Sequence, residues 1–475
     1  MRSNRALRRP SRIGTPPRMP GAMRPMPWAA SLLAGGLFVA AALCTSRAES
    51  PAEAPSPSRI SRLDVAAESY VRLVLALAEH WPDYLDSYHG PEAWKAEARA
   101  AARPLDEIHR DANGLATQLR AVEVPPGDET NGLRRHYLVR HAEALAAAIE
   151  FHRGARRTFD EESKALFDAV APRLREGDFQ EALAELDRLL PGEGGVHERN
   201  RAYMQRFVVP ADRVEAVYRA ALDEARRRTL QHIDLPEDER VDLELVENED
   251  PGIYHSYKGH HRSVLELNVL QQPTIDQVAF DAAHEGYPGH HVQAVLIDTE
   301  FLERNQWVEH STLVVFSPFA LIVEGAGNFA HEVAFPDRAD EARFLAEVLF
   351  PLAGFDPADA PLLMAVREQK SRLGYAAATE AARRYFDGEL DRQGAIQWLV
   401  DYGLWSANGA ESALEFLEVV RAFVINYSVG HRLVREHVEA RGGTRDRPDR
   451  RWQEFDRLLR SPLVASTLET RNGSP

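Results

Sequence analysis

Apolar residues recur at helical spacing along most of this chain, and this periodicity constrains the fold more than any other feature of the sequence. One apolar face runs over residues 63–77, and similar amphipathic stretches follow at 129–153, 159–173 and 177–190. Helical patterning resumes at Thr274 and continues to about residue 462. The sequence therefore predicts a mainly α-helical protein.

The periodicity changes between residues 241 and 270. The segments VDLELV (241–246) and SVLELNV (263–269) alternate like strands, with the turn-rich NEDPG between them. We predict one small antiparallel β-sheet beside a cleft. Because SVLELNV leads into the histidine-rich helix described below, it is a candidate edge for an extended peptide, and an ordinary half-buried strand is the alternative.

The charge of the chain excludes one class of partner. The 475 residues carry a formal net charge of −16, and the first 48 contain eight arginines and no acidic residue, so the remainder is more acidic still. A surface of that sign repels phosphate, and nucleic acid is not expected as a partner. The single cysteine, Cys44, cannot form an internal disulfide, so packing must stabilise the fold.

The leading segment has the pattern of an export signal. Scattered arginines precede an apolar run from Trp28 to Cys44, and the small residues Ser46 and Ala48 suit cleavage after Ala48. The run has 17 residues where a membrane span needs roughly 20, so cleavage is favoured over anchoring. We predict a periplasmic or extracellular protein, attached to a membrane only if the signal is not cleaved.

Six of the 18 histidines lie between residues 255 and 291, and the motif His284-Glu-Gly-Tyr-Pro-Gly-His290-His291 is the sharpest part of this group. Zinc peptidases commonly place two metal-binding histidines one helical turn apart, with the glutamate beside the first acting as base. Here the spacing is six or seven, and Pro288 is incompatible with a regular helix. A two-residue bulge over 286–289 would place His290 beside His284, and His291 is the alternative ligand.

Glu324 is the candidate third ligand, because it lies in the apolar helical segment FALIVEGAGNF, where a buried carboxylate needs a cation. The small residues 325–327 would let two helices approach. Two histidines, one carboxylate and one open position form the coordination of a catalytic zinc. A buried ion pair of Glu324 with an arginine is the alternative, and His331 and Glu332 are alternative ligands on the same helix.

Glu285 would accept the proton of the attacking water and pass it to the leaving amine. The reaction also needs a donor to the oxyanion, and Tyr427 and His431 are candidates on one apolar stripe of a helix predicted from about residue 411. Core packing is the alternative for both. The competing donors share the histidine-rich segment and are Tyr254, His255, Tyr257, His260 and His261.

The motif HEGYPGHH resembles the signature of the bacterial domain-of-unknown-function 885 family, relatives of the gluzincin zinc peptidases. In that family a downstream helix carries an acid in a pattern similar to Glu324-Gly-Ala-Gly-Asn-Phe329, from which Ala326 and Asn328 depart. Similarity also runs through residues 190–200, the segment NEDPGIYHSYKGHHRSVLELNV and NYSVG at 426–430. The resemblance implies a mostly helical, two-lobed, zinc-binding peptidase.

We therefore predict a gluzincin-like zinc metallopeptidase acting on peptides. Its parts are a signal at 1–48, a flexible linker at 49–60, a helical lobe at 61–235, a zinc-binding catalytic lobe at 236–466 and a tail at 467–475. Two other classes remain open: a zinc hydrolase of non-peptide amides or esters, and a non-catalytic metal-binding scaffold. Glu285 argues against the scaffold, because a structural metal site has no use for it.

Overall fold

Helices form most of the computed structural model, which describes residues 61–247 and 252–472. The α-helices are α1 (Arg62–Ala78), α2 (Glu92–Ala101), α3 (Leu105–Arg120), α4 (Glu129–His152), α5 (Phe159–Phe167), α6 (Glu176–Leu189), α7 (Val196–Gln205), α8 (Val214–Thr229), α9 (Ile275–Asp281), α10 (His290–Leu296), α11 (Pro318–Ala334), α12 (Arg338–Phe344), α13 (Phe350–Ala353), α14 (Ala360–Ser371), α15 (Gly374–Phe386), α16 (Arg392–Gly403), α17 (Ala407–Val420), α18 (His431–Ala440), α19 (Pro448–Leu459) and α20 (Ala465–Asn472). The predicted helical class is confirmed.

Shorter helical segments of other types interrupt this series. Those with π geometry are Ala282–Gly286, Ile297–Arg304, Leu345–Leu349 and Asn426–Gly430, and those with 3-10 geometry are Pro82–Tyr84, Val308–Ser311, Pro357–Asp359 and Arg421–Val424. The helix predicted from about residue 411 is therefore not continuous, since Arg421 has a φ of 49° and ends α17. Tyr427 lies in a π segment and His431 begins α18.

Two small sheets accompany the helices. Strands β1 (Leu85–Tyr88) and β5 (Thr312–Val314) pair antiparallel. Strands β2 (Arg240–Val246), β3 (Ile253–Tyr257) and β4 (Arg262–Asn268) form a second sheet in the order β2-β4-β3. The small predicted sheet is present, but it is mixed, because β3 pairs antiparallel with β4 whereas β2 pairs parallel to it.

Strand β4 was the predicted edge for an extended peptide, and this prediction is wrong. Hydrogen bonds from β2 and β3 occupy both of its edges. The alternation of its sequence suggested one buried face, yet Ser263, Leu265 and Asn268 are all buried because β4 is central. Strand β3 is at the end of the sheet among the described strands, and it packs against the π segment Ala282–Gly286 and α10.

Helix α11 is central to the packing. Its first turn is set by Ser317, whose hydroxyl accepts a hydrogen bond from the Ala320 amide at 3.2 Å, and by Pro318 at the first position. Along α11 only Val323, Glu324 and Glu332 are not fully buried. Both carboxylates of this helix therefore lie where solvent, a cation or a polar partner can reach them.

The described residues belong to one compact unit, and the division into two lobes stays a prediction. Residues 467–472, predicted as part of a tail, instead continue α20. The predicted signal and linker lie outside the described residues. Within the described ranges, none of the helices has the length and apolar character to cross a membrane.

Candidate metal centre

The motif His284 to His290 folds as the bulge that its sequence predicts. Helix α9 passes into the π segment Ala282–Gly286, the chain then leaves helical geometry at Tyr287–Pro288, and α10 starts at His290. A Cβ built on Gly289 would lie 1.9 Å from the carbonyl oxygen of His284. Only glycine fits this close approach, which brings the second histidine back to the side of the first.

The three predicted ligands converge. Nε2 of His284 lies 3.6 Å from Oε2 of Glu324, and Nε2 of His290 lies 3.8 Å from the same oxygen. One ligand atom from each of the three residues falls within 4.8 Å of the other two, the only such histidine, cysteine and carboxylate group among residues 61–247 and 252–472. Two imidazoles and one carboxylate are the set of protein ligands that a catalytic zinc ion takes.

Helix α11 supplies the third ligand and the space for the two rings. A Cβ on Gly327 would lie 2.9 Å from Cε1 of both His284 and His290, so the glycine lies directly against the two imidazoles. Gly325 faces Gly430, and a Cβ on Gly325 would lie 2.3 Å from the carbonyl carbon of Gly430. These contacts confirm that the small residues 325–327 allow close approach.

Packing rather than hydrogen bonding orients the two imidazoles. Neither Nδ1 atom of His284 or His290 has a hydrogen-bond partner among the described residues. The two rings meet edge to face with centroids 4.5 Å apart, and Phe280 lies 5.5 Å from the His284 ring. Ring and glycine contacts therefore surround these two imidazoles, where metal-binding histidines usually donate their second N–H to a carboxylate or carbonyl group.

The electrostatic environment favours a positive charge at the cluster. Burial lowers the pKa of His284, but Glu285 and Glu324 outweigh it and raise that pKa to about 9. Burial, reinforced by Glu324, raises the pKa of Glu285 to about 8. Two carboxylates held this close in a mostly buried site are stabilised by a cation between them.

Glu285 lies beside the cluster and is not one of the three converging ligands. Its Oε1 is 3.9 Å from Nε2 of His284, and its side chain is 16% exposed. The carboxylate thus lies next to the cluster without belonging to it. This is the placement expected of a general base.

Tyr427 belongs to the π segment that packs against α11, the helix that carries Glu324, and His431 follows that segment. The charges of Glu324 and Glu285 add to burial in raising the pKa of Tyr427. Asn328 of α11 donates to the Tyr427 carbonyl at 2.9 Å. By contrast, Nε2 of His431 lies 2.7 Å from Oε1 of Glu332.

Glu332 lies eight residues beyond Glu324 on α11, about 12 Å along the axis. His431 is accordingly paired away from the proposed metal position. The alternative ligands on the same helix are also engaged elsewhere, since His331 binds Glu341 at 2.7 Å and Glu332 binds His431. This leaves Glu324 as the ligand that α11 offers to the cluster.

His291, the alternative to His290, points into a different buried group. Its Nε2 lies 2.9 Å from Glu239 and its Nδ1 lies 2.8 Å from the hydroxyl of Ser263. Both of its ring nitrogens therefore have partners, and it is His290 that converges with His284 and Glu324.

The competing donors of the histidine-rich segment are divided by the structure. The ring of His255 lies 5.9 Å from that of His290, and Tyr254 donates to Asp86 at 3.3 Å. Tyr257 is hydrogen-bonded to Asp298, and His261 to Asp238. The first half of β3 thus brings Tyr254 and His255 toward the centre, whereas Tyr257 at the end of β3 and His261 in the following turn pair elsewhere.

Sequence reasoning missed two residues near the centre, Asp86 and Tyr375. Burial, with a contribution from Glu324, raises the pKa of Asp86 to about 6. Tyr375 stacks on Tyr427 with centroids 4.9 Å apart and is 42% exposed. Neither residue belongs to a recognisable motif, and only the packing of β1 and α15 reveals them.

No family model matches the chain, and no curated protein is similar to it. Five solved chains are similar in structure. One is a candidate lipoprotein from Colwellia psychrerythraea, with a TM-score of 0.48, 15% identity and coverage of 79% of this chain and 71% of that one. Another is a candidate lipoprotein of unknown function from Shewanella oneidensis, with a TM-score of 0.41, 14% identity and coverage of 77% and 76%.

Proposed function

We propose that this chain is an exported zinc-dependent metallopeptidase. The convergence of His284, His290 and Glu324, with Glu285 beside them, is the observation that carries the proposal. Three protein ligands with a neighbouring carboxylate that is not a ligand suit catalysis, whereas structural zinc sites are closed by four ligands. The proposal includes membership of the gluzincin-like relatives and their two-lobed arrangement, which the motif HEGYPGHH suggests.

Each residue has a defined part in the proposed reaction. Zinc, when bound, supplies Lewis acidity that lowers the pKa of water and polarises a carbonyl group. Glu285 accepts the proton of the attacking water and transfers it to the leaving amine. Tyr427 is the proposed hydrogen-bond donor to the developing oxyanion, because it is the one of the two predicted donors that lies near Glu324 and Glu285.

The position of strand β3 favours a peptide over a small ester or amide. It is an outer strand of its sheet among the described strands, and it packs on the segment that bears His284 and Glu285. An extended peptide beside β3 would be held by main-chain hydrogen bonds without a strict sequence preference. Its scissile carbonyl would then lie close to the metal centre.

Glu285→Gln tests this function. The amide keeps the size of the side chain but cannot accept a proton, so bound zinc should remain while peptide cleavage falls by about 10²–10⁴-fold. Zinc is measured by elemental analysis, and cleavage by mass spectrometry of a mixed peptide library. Glu303→Gln is the control, since Glu303 is an exposed glutamate outside the cluster.

Three outcomes have distinct meanings. Cleavage of simple esters or amides without cleavage of peptides would replace the peptidase with the non-peptide hydrolase. Full zinc with no turnover of any substrate, unchanged by Glu285→Gln, would support the scaffold instead. A protein that binds no zinc would remove the basis of the proposal.

A further inference from the structure

A continuous chain of hydrogen bonds leads from the surface of α8 to the metal centre. Arg226 contacts Oε1 of Glu239 at 2.6 Å, and Oε2 of Glu239 lies 2.9 Å from Nε2 of His291. Nδ1 of His291 is 2.8 Å from Oγ of Ser263, which is 2.8 Å from Nε2 of His255. The chain ends at His255, whose ring lies 5.9 Å from the proposed ligand His290.

The interior of this chain is closed to solvent. His291 and Ser263 have no exposed surface, and Glu239 is 4% exposed. The second oxygen of Glu239 also accepts the hydroxyl of Tyr287 at 2.7 Å. Buried polar atoms need hydrogen-bond partners, so the choice of donor in one of these hydrogen bonds determines the donor in the next.

The order of donors and acceptors follows from the carboxylate at one end. A carboxylate paired with Arg226 only accepts, so Nε2 of His291 must carry the hydrogen that it donates to Glu239. The charge of Glu239 is already balanced by Arg226, and His291 is fully buried, so the imidazole is neutral and its Nδ1 accepts. Ser263 then donates to His291, and its oxygen accepts from Nε2 of His255.

We propose that His255 is a substrate-binding residue, locked by Ser263 and His291 so that its Nδ1 is left as a hydrogen-bond acceptor beside His290. Its Nε2 hydrogen is committed to Ser263, and among the described residues Nδ1 has no hydrogen-bond partner. An acceptor at this position recognises an N–H group of the substrate, either a backbone amide or a free amino terminus. His291 and Ser263 are positioning residues, because they act through His255.

This inference rests on the proposed function for the identity of the substrate, but the locked imidazole is independent of it. It also excludes His255 as the donor to the oxyanion, because the only hydrogen of the neutral ring is used internally. Tyr427 stays the proposed donor.

The first test measures the imidazole directly. In protein labelled with ¹⁵N-histidine, with and without zinc, His255 should show the form with hydrogen on Nε2, and its signals are assigned by their loss in His255→Gln. Ser263→Ala should change those shifts. Ser256→Ala should not, because Ser256, although it lies on strand β3 with His255, accepts a hydrogen bond from Lys258. Hydrogen on Nδ1 of His255 in the wild-type protein would overturn the proposal.

The second test measures recognition. Ser263→Ala should lower kcat/KM for peptides by about tenfold, the effect of losing one ordinary hydrogen bond, mainly through KM and with zinc content unchanged. Ser256→Ala should behave as wild type. A change in kcat with an unchanged KM would show that His255 does not bind substrate. Unchanged kcat and KM, in a variant whose His255 ¹⁵N chemical shifts have changed, would show the same.

Two peptide series identify the N–H group. If His255 accepts from the amino terminus, converting that terminus to a trimethylammonium group, which keeps the charge but has no N–H, should reduce kcat/KM in the wild type but not in His255→Gln. If it accepts from a backbone amide, N-methylation of that amide should have this effect instead. Equal losses in both proteins for both series would overturn substrate binding by His255. The absence of all peptide cleavage would count against the proposed function and leave the ¹⁵N result as the test of the locked ring.

Discussion

Single residues determine whether a metal ion can fit between the two helical segments. Gly327 leaves room for the imidazoles of His284 and His290, and Gly289 permits the turn that brings them together. Both positions exclude a side chain for reasons of space rather than of backbone conformation, because neither glycine has a positive φ. The chemistry of the ligands therefore depends on neighbours that have no functional groups.

Gly327→Ala should weaken zinc binding by about 10–100-fold, the range found when the surroundings of metal ligands are disturbed. The added methyl group would lie 2.9 Å from Cε1 of each histidine and displace the rings. Affinity is measured by competition with a chromophoric chelator. Gly114→Ala is the control, because a Cβ at Gly114 meets nothing within 4 Å, and it should leave the affinity unchanged.

Replacing His284, His290 or Glu324 with alanine should remove bound zinc almost completely, since each change leaves only two protein ligands. His291→Gln should retain zinc, because His291 binds Glu239 and Ser263. Elemental analysis after dialysis distinguishes the two groups of variants. Retention of zinc by His290→Ala together with its loss in His291→Gln would show that the ligand was assigned to the wrong histidine.

At the scale of elements, α11 crosses the π segment Asn426–Gly430 at a contact between two glycines. A Cβ on Gly430 would lie 2.4 Å from the carbonyl oxygen of Leu321, and a Cβ on Gly325 would meet the backbone of Gly430. Backbone atoms cannot move aside as a flexible side chain can. This crossing places Tyr427 and Glu324 on adjacent elements of one site.

Gly325→Ala should therefore lower the free energy of unfolding by about 1–3 kcal/mol or more, the effect of overpacking a close contact. Gly114→Ala, in the middle of α3 with open space around it, should raise it by about 0.5–1 kcal/mol because alanine favours helix. Urea denaturation measures both. Equal effects of the two changes would show that helix propensity, not the crossing, governs position 325.

At the scale of the whole molecule, buried ion pairs join helices that are distant in sequence. Glu341 of α12 contacts His331 of α11 at 2.7 Å and Arg367 of α14 at 2.6 Å. Arg134 of α4 contacts Glu309 at 2.6 Å, with both side chains almost fully buried. Removing one partner of such a pair leaves an uncompensated buried charge.

The stability of the protein should fall in acid partly because of Glu341. Burial alone would raise the pKa of Glu341, but His331 and Arg367 lower it to about 2, from an ordinary value of 4.5. A lowered carboxyl pKa contributes stability that is complete above 4.5 and is lost as the pH falls from 4.5 toward 2. This loss adds to the acid sensitivity of the fold.

Glu341→Gln should lose about 3–5 kcal/mol of unfolding free energy at pH 7, and its difference from wild type should shrink below pH 4.5. Urea denaturation at a series of pH values measures this. Glu347→Gln, an exposed glutamate nearby, should follow the wild-type curve. A difference between wild type and Glu341→Gln that stays constant from pH 7 to pH 3 would contradict the linkage.

The sequence by itself determined the helical class, the interruption at Pro288 and the identity of the three converging residues. These features depend on local chemistry: helical periodicity, the missing N–H of proline, and the cost of a carboxylate within an apolar segment. The start of α11 at Ser317 and Pro318 could also be predicted from the sequence, because helix capping involves residues that are neighbours in the chain.

Only the tertiary structure decided the features that depend on contacts between distant segments. The parallel pairing of β2 made β4 central, although its alternating sequence is compatible with an edge. His431 shares an apolar stripe with Tyr427, yet pairing with Glu332 holds it away from the metal centre. Asp86 and Tyr375 are brought near the site by the packing of β1 and α15. Local sequence patterns could not predict this, because they do not determine which distant helices and strands pack together.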